Sequence, residues 1–199
     1  MITRKEMTRM LLKEGLLSCL ANNSFESVTV TSLCKASGIT RSTFYLHYSN
    51  IMEIVDDLVD DAIAYSRPGM VDNNNLQTIA KTLSAASNSV SLREAYDSIF
   101  DRLPLCQRII RHKKYLPLFL DEQISEYVLQ RIIGREKDRQ GLVVAKALGV
   151  SFDVGVSVFV FLVHGLYAVN KQYKWSQSDE WLEAQKIIFE LVYRGLQSR

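Results

Sequence analysis

The stretch from Thr29 to Tyr48 constrains this chain most, because it reads as two short helices that meet at a glycine. Thr29 offers a hydroxyl to a free amide at a helix start, and Leu33 with Ala36, three residues apart, faces inward. Gly38 comes next, supplying the positive φ that a sharp turn between helices needs. Ile39 then plugs the corner. Thr40 stands where the second helix begins, its hydroxyl aimed at the amide of Thr43, and Phe44 falls one turn on, toward the core. The spacing therefore predicts a helix-turn-helix. Its outward side carries Arg41, Ser42, Thr43 and Tyr45, all hydrogen-bonding and none acidic, which is a face suited to DNA.

Written as a pattern, Thr-Val-x-x-Leu-x-x-Ala-x-Gly-Ile-x-x-x-Thr-Phe-Tyr-x-His-Tyr resembles the DNA-binding signature of TetR-type transcriptional regulators. The resemblance covers roughly the first quarter of the chain, and the remainder is similar in layout only. It implies an all-α protein with a three-helix DNA-binding head over residues 1–49. A helical regulatory and dimerisation bundle over 50–199 would come after it, with 50–65 as the linking helix. A recognition helix in the major groove is the general geometry of such heads. Here it would open at Thr40 and bring Arg41, Ser42, Thr43 and Tyr45 to base edges, while Thr29, Tyr45, His47 and Lys5 reach phosphates. Ile51 stands where these proteins often carry a lysine that reaches a phosphate.

The partners implied are double-stranded operator DNA, a second copy of the chain and a small-molecule effector, with no cofactor. A ligand-responsive repressor on an inverted-repeat operator is the resulting expectation. The alternative is a TetR-like activator or co-regulator whose C-terminal part is a dimerisation or protein-interaction scaffold without a ligand.

Composition fits an ordinary globular chain of 199 residues, 47% hydrophobic and 23% charged. The net charge is only +2, yet residues 1–50 hold an excess of three positive charges. These are Arg4, Lys5, Arg9, Lys13, Lys35 and Arg41 against Glu6, Glu14 and Glu26, so the positive end coincides with the motif. Cys19, Cys34 and Cys106 are odd in number, widely spaced and without metal-ligand spacing, which argues against a disulfide framework or a zinc site and fits a reducing cytoplasm. The opening Met-Ile-Thr-Arg-Lys-Glu argues against a signal peptide.

Taken in order, residues 3–21 read as a helix with Leu12, Leu16, Cys19 and Leu20 on one stripe and Arg4, Lys5, Arg9 and Lys13 exposed. Gly15 inside it either serves a close contact or weakens the helix by about 1 kcal/mol. Asn22-Asn23-Ser24 ends the helix and Phe25 returns to the core. Asn50 with Glu53 has the spacing of a capping box for a fourth helix running to about Tyr65. On that helix Glu53, Asp56, Asp57, Asp60 and Asp61 gather on one face, expected to be solvated, opposite Ile54, Val55, Leu58, Val59 and Ala62.

Arg67-Pro68-Gly69 and Asp72-Asn73-Asn74-Asn75 place a loop over 66–75. A helix is expected over 76–89, and Ser91 with Glu94 three residues on marks another capped start. Pro104 and Pro117 divide the next stretch, with a basic cluster of Arg108, Arg111, His112, Lys113 and Lys114 between them. That cluster is either a solvated helix end or a seat for an anionic effector. Residues 118–133 read as helix and 134–141 as a charged, mobile connection.

Residues 142–172 hold the most apolar run, with Val154–Val169 uncharged for sixteen residues, short of the roughly twenty that a membrane helix needs. Val154 to Phe161 alternates like a strand, but the helical context and the apolar continuation favour a helix. Such a helix needs neighbours on all sides, and with a final amphipathic helix over 178–197 it forms a surface that a second copy would cover. The joint from Gly165 to Trp175 also resembles one branch of the TetR-type family.

An enzyme reading has little support, since the chain lacks a Gly-rich phosphate loop, metal-ligand spacing and a recognisable nucleophile. A helical interaction module that does not bind DNA is the other alternative. Cys34 reads as a small buried apolar residue. His164 reads either as a satisfied core histidine or as an effector contact. Tyr96, Phe100, Tyr115, Phe119, Phe159 and Tyr167 fall on successive helices and, with His164, are the candidates for an effector pocket, against the plainer reading that these rings are core.

Overall fold

The computed structural model describes residues 3–66, 75–103, 107–108 and 113–197, and among these it is all-helical, without a strand. Ten α-helices are present among the described residues: α1 Arg4–Leu20, α2 Val30–Ser37, α3 Arg41–Tyr45, α4 Ile51–Ser66 and α5 Asn75–Ser84, then α6 Ser89–Ser98, α7 Leu116–Leu120, α8 Ser125–Leu148, α9 Phe152–Gln172 and α10 Asp179–Gln197. They fall into two compact units, residues 1–65 with 112–134 and residues 66–111 with 135–199. The grouping thus differs from a division at residue 49: α4 and the segment 112–134 cluster with the N-terminal helices, and α8 contributes to both units.

In the first unit a capping box starts α1, with Thr3 Oγ1 accepting from the Glu6 amide at 3.2 Å and Glu6 Oε2 accepting from the Thr3 amide at 2.7 Å. Leu12, Leu16, Leu17 and Leu20 are its buried stripe, while Cys19 is only half-buried. Gly15 has a specific reason to be glycine. A Cβ there would lie 2.8 Å from Ser37 Cβ and 3.2 Å from the Ser37 Cα and amide nitrogen, so α1 and α2 cross at this point in close contact. Leu33, Phe44, Ile54, Leu58, Leu118 and Val128 complete the core. On α2 the inward pair is Leu33 and Cys34, whereas Ala36 is exposed, because the inward stripe of this short helix continues from Leu33 to the half-buried Ser37, a four-residue step, and not to the residue three on.

The acidic face of α4 is not the solvated face expected of it. Asp57 accepts from Arg9 Nη2 at 2.5 Å and from the Tyr48 hydroxyl at 2.5 Å, and Asp61 pairs with Lys13. Asp56 accepts from the Tyr127 hydroxyl at 2.6 Å and pairs with Arg131 at 3.1 Å. Arg9 and Lys13, expected among the exposed positions of α1, are therefore engaged by α4. At the start of α4, Asn50 Oδ1 caps the Glu53 amide at 3.1 Å as expected, and Glu53 reaches back to the Ser49 amide at 2.8 Å. Asp121 joins two chain segments of this unit: Oδ2 accepts from the Phe25 amide at 2.7 Å, while Oδ1 accepts from the Gln123 and Ile124 amides in the turn that precedes α8.

In the second unit, α5 stops at Ser84, short of residue 89, and α6 is capped by Asn88 rather than by Ser91, which takes the third helical position of the box. The expected loop over 66–75 falls mostly on residues 67–74, outside the described residues, as do Cys106 and two members of the basic cluster, Arg111 and His112. Arg108 is buried in the second unit and donates to the Asp101 carbonyl at 3.0 Å, while Lys114 pairs with Glu14 at 2.6 Å in the first.

Residues 134–141, expected as a mobile connection, are helical within α8, since Arg, Glu and Lys are good helix formers and the two glycines are tolerated. Gly141 and Gly155 instead mark where α8 and α9 touch: a Cβ on Gly155 would collide with the Gly141 carbonyl oxygen and would meet Ala145 Cβ at 2.6 Å. Gly149, at φ 64°, ends α8, and Ser151 caps α9. Residues 154–161 are helical throughout.

Asn170 ties the turn from α9 to α10, its carbonyl accepting from the Trp175 amide at 2.8 Å and its Oδ1 from Trp181 Nε1 at 3.0 Å. These bonds hold Lys174 and Trp175 at positive φ, where a bulky residue is rare, and the Trp175 ring packs edge-on against Tyr167. α9 is long and apolar enough, by length and composition, to cross a membrane, and only 17% of its most apolar window is buried within the chain. The expectation of a helix enclosed on all sides is therefore not met by this chain alone. Phe152, Val154 and Phe161 on α9, with Ile187 and Leu191 on α10, remain exposed.

Candidate nucleic-acid interface

α2 and α3 owe their orientation to local chemistry. Thr29 Oγ1 accepts from the Ser32 amide at 3.1 Å, and Ser32 Oγ returns a contact to the Thr29 amide at 2.9 Å. Gly38 ends α2 at φ 68°, ψ 21°, and the Ile39 amide closes the turn on the Cys34 carbonyl at 3.0 Å. Thr40 Oγ1 then accepts from the Thr43 amide at 3.2 Å and starts α3. Phe44 and, beyond the helix, Tyr48 anchor one side in the core, where burial first and Asp57 second push the Tyr48 hydroxyl well above the ordinary tyrosine range. Arg9 Nε also donates to Tyr48 at 3.2 Å, and its guanidinium lies 4.9 Å from the ring centre.

With Phe44 and Tyr48 turned inward, Arg41, Ser42 and Tyr45 are exposed together on the other side of α3, as the spacing predicts. Arg41 Nη1 donates to Thr31 Oγ1 at 3.3 Å, so the guanidinium lies along the outer edge of α2 without a carboxylate. The Ser42 and Thr43 hydroxyls lie 3.0 Å and 2.9 Å from Thr40 Oγ1 and share hydrogen bonds with it, leaving Thr43 half-buried. His47 is also half-buried, and its Nδ1 is buried without a hydrogen bond. Lys5 is exposed on the first turn of α1. Cys34 is buried and free beneath this surface, and burial raises its thiol pKa against the opposing charge of Arg41. Sequence reasoning passed over Leu46, which leaves α3 with its side chain 81% exposed. Its signal was an apolar residue directly after the outward-facing Tyr45.

The seven effector-pocket candidates divide between the units. Tyr115 and Phe119 are buried in the first, while Tyr96, Phe100, Phe159, His164 and Tyr167 belong to the second. Phe100, Phe159 and His164 are half-buried. Tyr96 donates to Gln107 Oε1 at 3.0 Å and packs edge-on against Trp181, and Gln107 passes the chain on to Gln185 Oε1 at 2.9 Å. A groove of about 370 Å³ in the second unit, lined by Asn88, Leu92, Asp179, Glu183, Lys186 and Ile187 among others, includes none of the seven. The chain matches no protein-family model and no curated protein.

Proposed function

We propose that this protein is a DNA-binding transcriptional regulator with a TetR-like layout, in which α2 and α3 form the helix-turn-helix of an N-terminal head and α3 reads the major groove. The observation that carries the reading is the outward side of α3: Arg41, Ser42 and Tyr45 exposed on one face, free of acid, on a helix capped at Thr40 and anchored by Phe44. Arg41 suits a guanine edge, with Ser42, Thr43 and Tyr45 along the same groove, while Thr29, His47, Tyr45 and Lys5 face the backbone phosphates. The engagement of Asp56, Asp57 and Asp61 within the first unit supports this assignment, because it neutralises carboxylates that would otherwise repel phosphate.

A homodimer through residues 142–172 and 178–197 is the second part of the proposal, supported by the uncovered apolar side chains of α9 and α10. A two-fold dimer calls for an inverted-repeat operator with half-sites one helical turn or more apart. For the C-terminal region two readings stand. A small molecule bound among its helices would make the protein a ligand-responsive repressor. The engagement of Tyr96 with Gln107 and of Tyr167 with Trp175 favours the alternative, an activator or co-regulator in which this region is a scaffold. Selection of duplexes from a random pool tests the DNA reading. Enrichment of one inverted repeat, bound with an affinity that falls steeply with salt, is expected. Recovery of unenriched DNA, or binding indifferent to salt, would refute it.

A further inference from the structure

Leu46 is the most exposed large apolar side chain among the described residues. Its backbone continues the helical curvature of α3 (φ −74°, ψ −18°), with the amide bonded to the Thr43 carbonyl at 3.2 Å. It therefore lies one turn beyond Ser42, on the side that carries Arg41, Ser42 and Tyr45, while Phe44 and Tyr48 occupy the buried side. A single exposed leucine elsewhere on a protein needs no explanation. At this position it alters what the helix can recognise.

We infer that Leu46 is a specificity-determining residue that reads the 5-methyl group of a thymine, an inference that rests on the DNA reading above. Each base presents donors and acceptors to the major groove, and thymine alone adds an apolar methyl group. A leucine side chain gains from that methyl and leaves the amino group of a cytosine or adenine without a partner. Ser42 and Thr43, whose hydroxyls are already tied to Thr40, have less freedom to choose between bases, so discrimination at this end of α3 falls to Leu46. Arg41 discriminates at the other end.

The test replaces each thymine of the selected operator in turn by deoxyuridine, which removes the methyl and changes no hydrogen-bonding group. Wild-type protein should lose about fourfold in affinity at one thymine per half-site, the effect of one buried methyl group. Leu46→Ala, whose side chain supports nothing in the fold, should bind the two duplexes alike at that position while keeping its response at the base read by Arg41. A selected operator with no uridine-sensitive thymine would overturn the role of Leu46 and leave the DNA reading intact, as would a Leu46→Ala variant with undiminished sensitivity. Failure to select any duplex would remove both.

Discussion

Gly15→Ala tests whether packing or helix propensity governs the crossing of α1 and α2. In a free helix this change stabilises by about 1 kcal/mol. Here the new Cβ would stand 2.8 Å from Ser37 Cβ, against a favourable carbon–carbon separation of about 3.5 to 4.0 Å. Rotation of the Ser37 side chain cannot relieve this, since the Ser37 Cα and amide nitrogen are also within 3.2 Å. The helices must separate by several tenths of an ångström, loosening Leu12, Leu16 and Leu33, and overpacking of this kind costs about 1 to 3 kcal/mol. Less the propensity gain, the net change is a destabilisation of up to about 2 kcal/mol. Native-state hydrogen exchange at the α1 and α2 amides reads this unit directly. Gly134→Ala is the control: its Cβ meets nothing within 4 Å in the middle of α8, so it should stabilise by about 1 kcal/mol. Opposite signs are expected from the same chemical change. Stabilisation by Gly15→Ala, or equal effects at the two sites, would refute the close crossing.

The exposed side chains of α9 and α10 and the tyrosines of the first unit give two further outcomes. Phe161→Glu and Leu191→Glu, at positions 74% and 66% exposed in the single chain, should leave the fold intact and convert a micromolar dimer to monomer in sedimentation, and a monomeric wild type would contradict the proposed assembly. The raised pKa of Tyr48 means that the folded state favours its neutral form, so its contribution is fully present below the ordinary tyrosine value of about 10 and is lost as the pH rises through the folded value. Tyr115, raised chiefly by burial, and Tyr127, raised chiefly by its bond to Asp56, act in the same direction in the same unit. Urea unfolding monitored by circular dichroism should therefore show stability falling above about pH 10, less steeply in Tyr48→Phe, and an unchanged slope in that variant would remove Tyr48 as a cause.

The α2–α3 pair was legible because its determinants are local. Thr29, Gly38 and Thr40 act on amides within a few residues of themselves, and Phe44 needs only helical spacing to face inward. The acidic face of α4 was not legible because its partners are remote: Arg9 lies 48 residues from Asp57, and Tyr127 lies 71 from Asp56. Nothing within one helix announces such pairing. Residues 134–141 mislead for a different reason, since glycine reads as a breaker where Gly141 instead admits Val156 of α9 to close approach. Arg108 groups with its basic neighbours in sequence, although the carbonyl that accepts from it belongs to Asp101. The head candidates all belong to the first unit, whereas the effector candidates, chosen as rings on successive helices, belong to both.

On the proposed DNA reading α3 meets bases through its outward face, and Arg41 is the residue on which that recognition depends most. Dissociation constants should be measured for wild type and Arg41→Ala against the selected duplex and each of its single-base variants, at one fixed salt concentration. Arg41→Ala should lose about 1 to 3 kcal/mol, with discrimination relaxed at one base position per half-site and retained at the others. Full affinity with an unchanged base preference would contradict it.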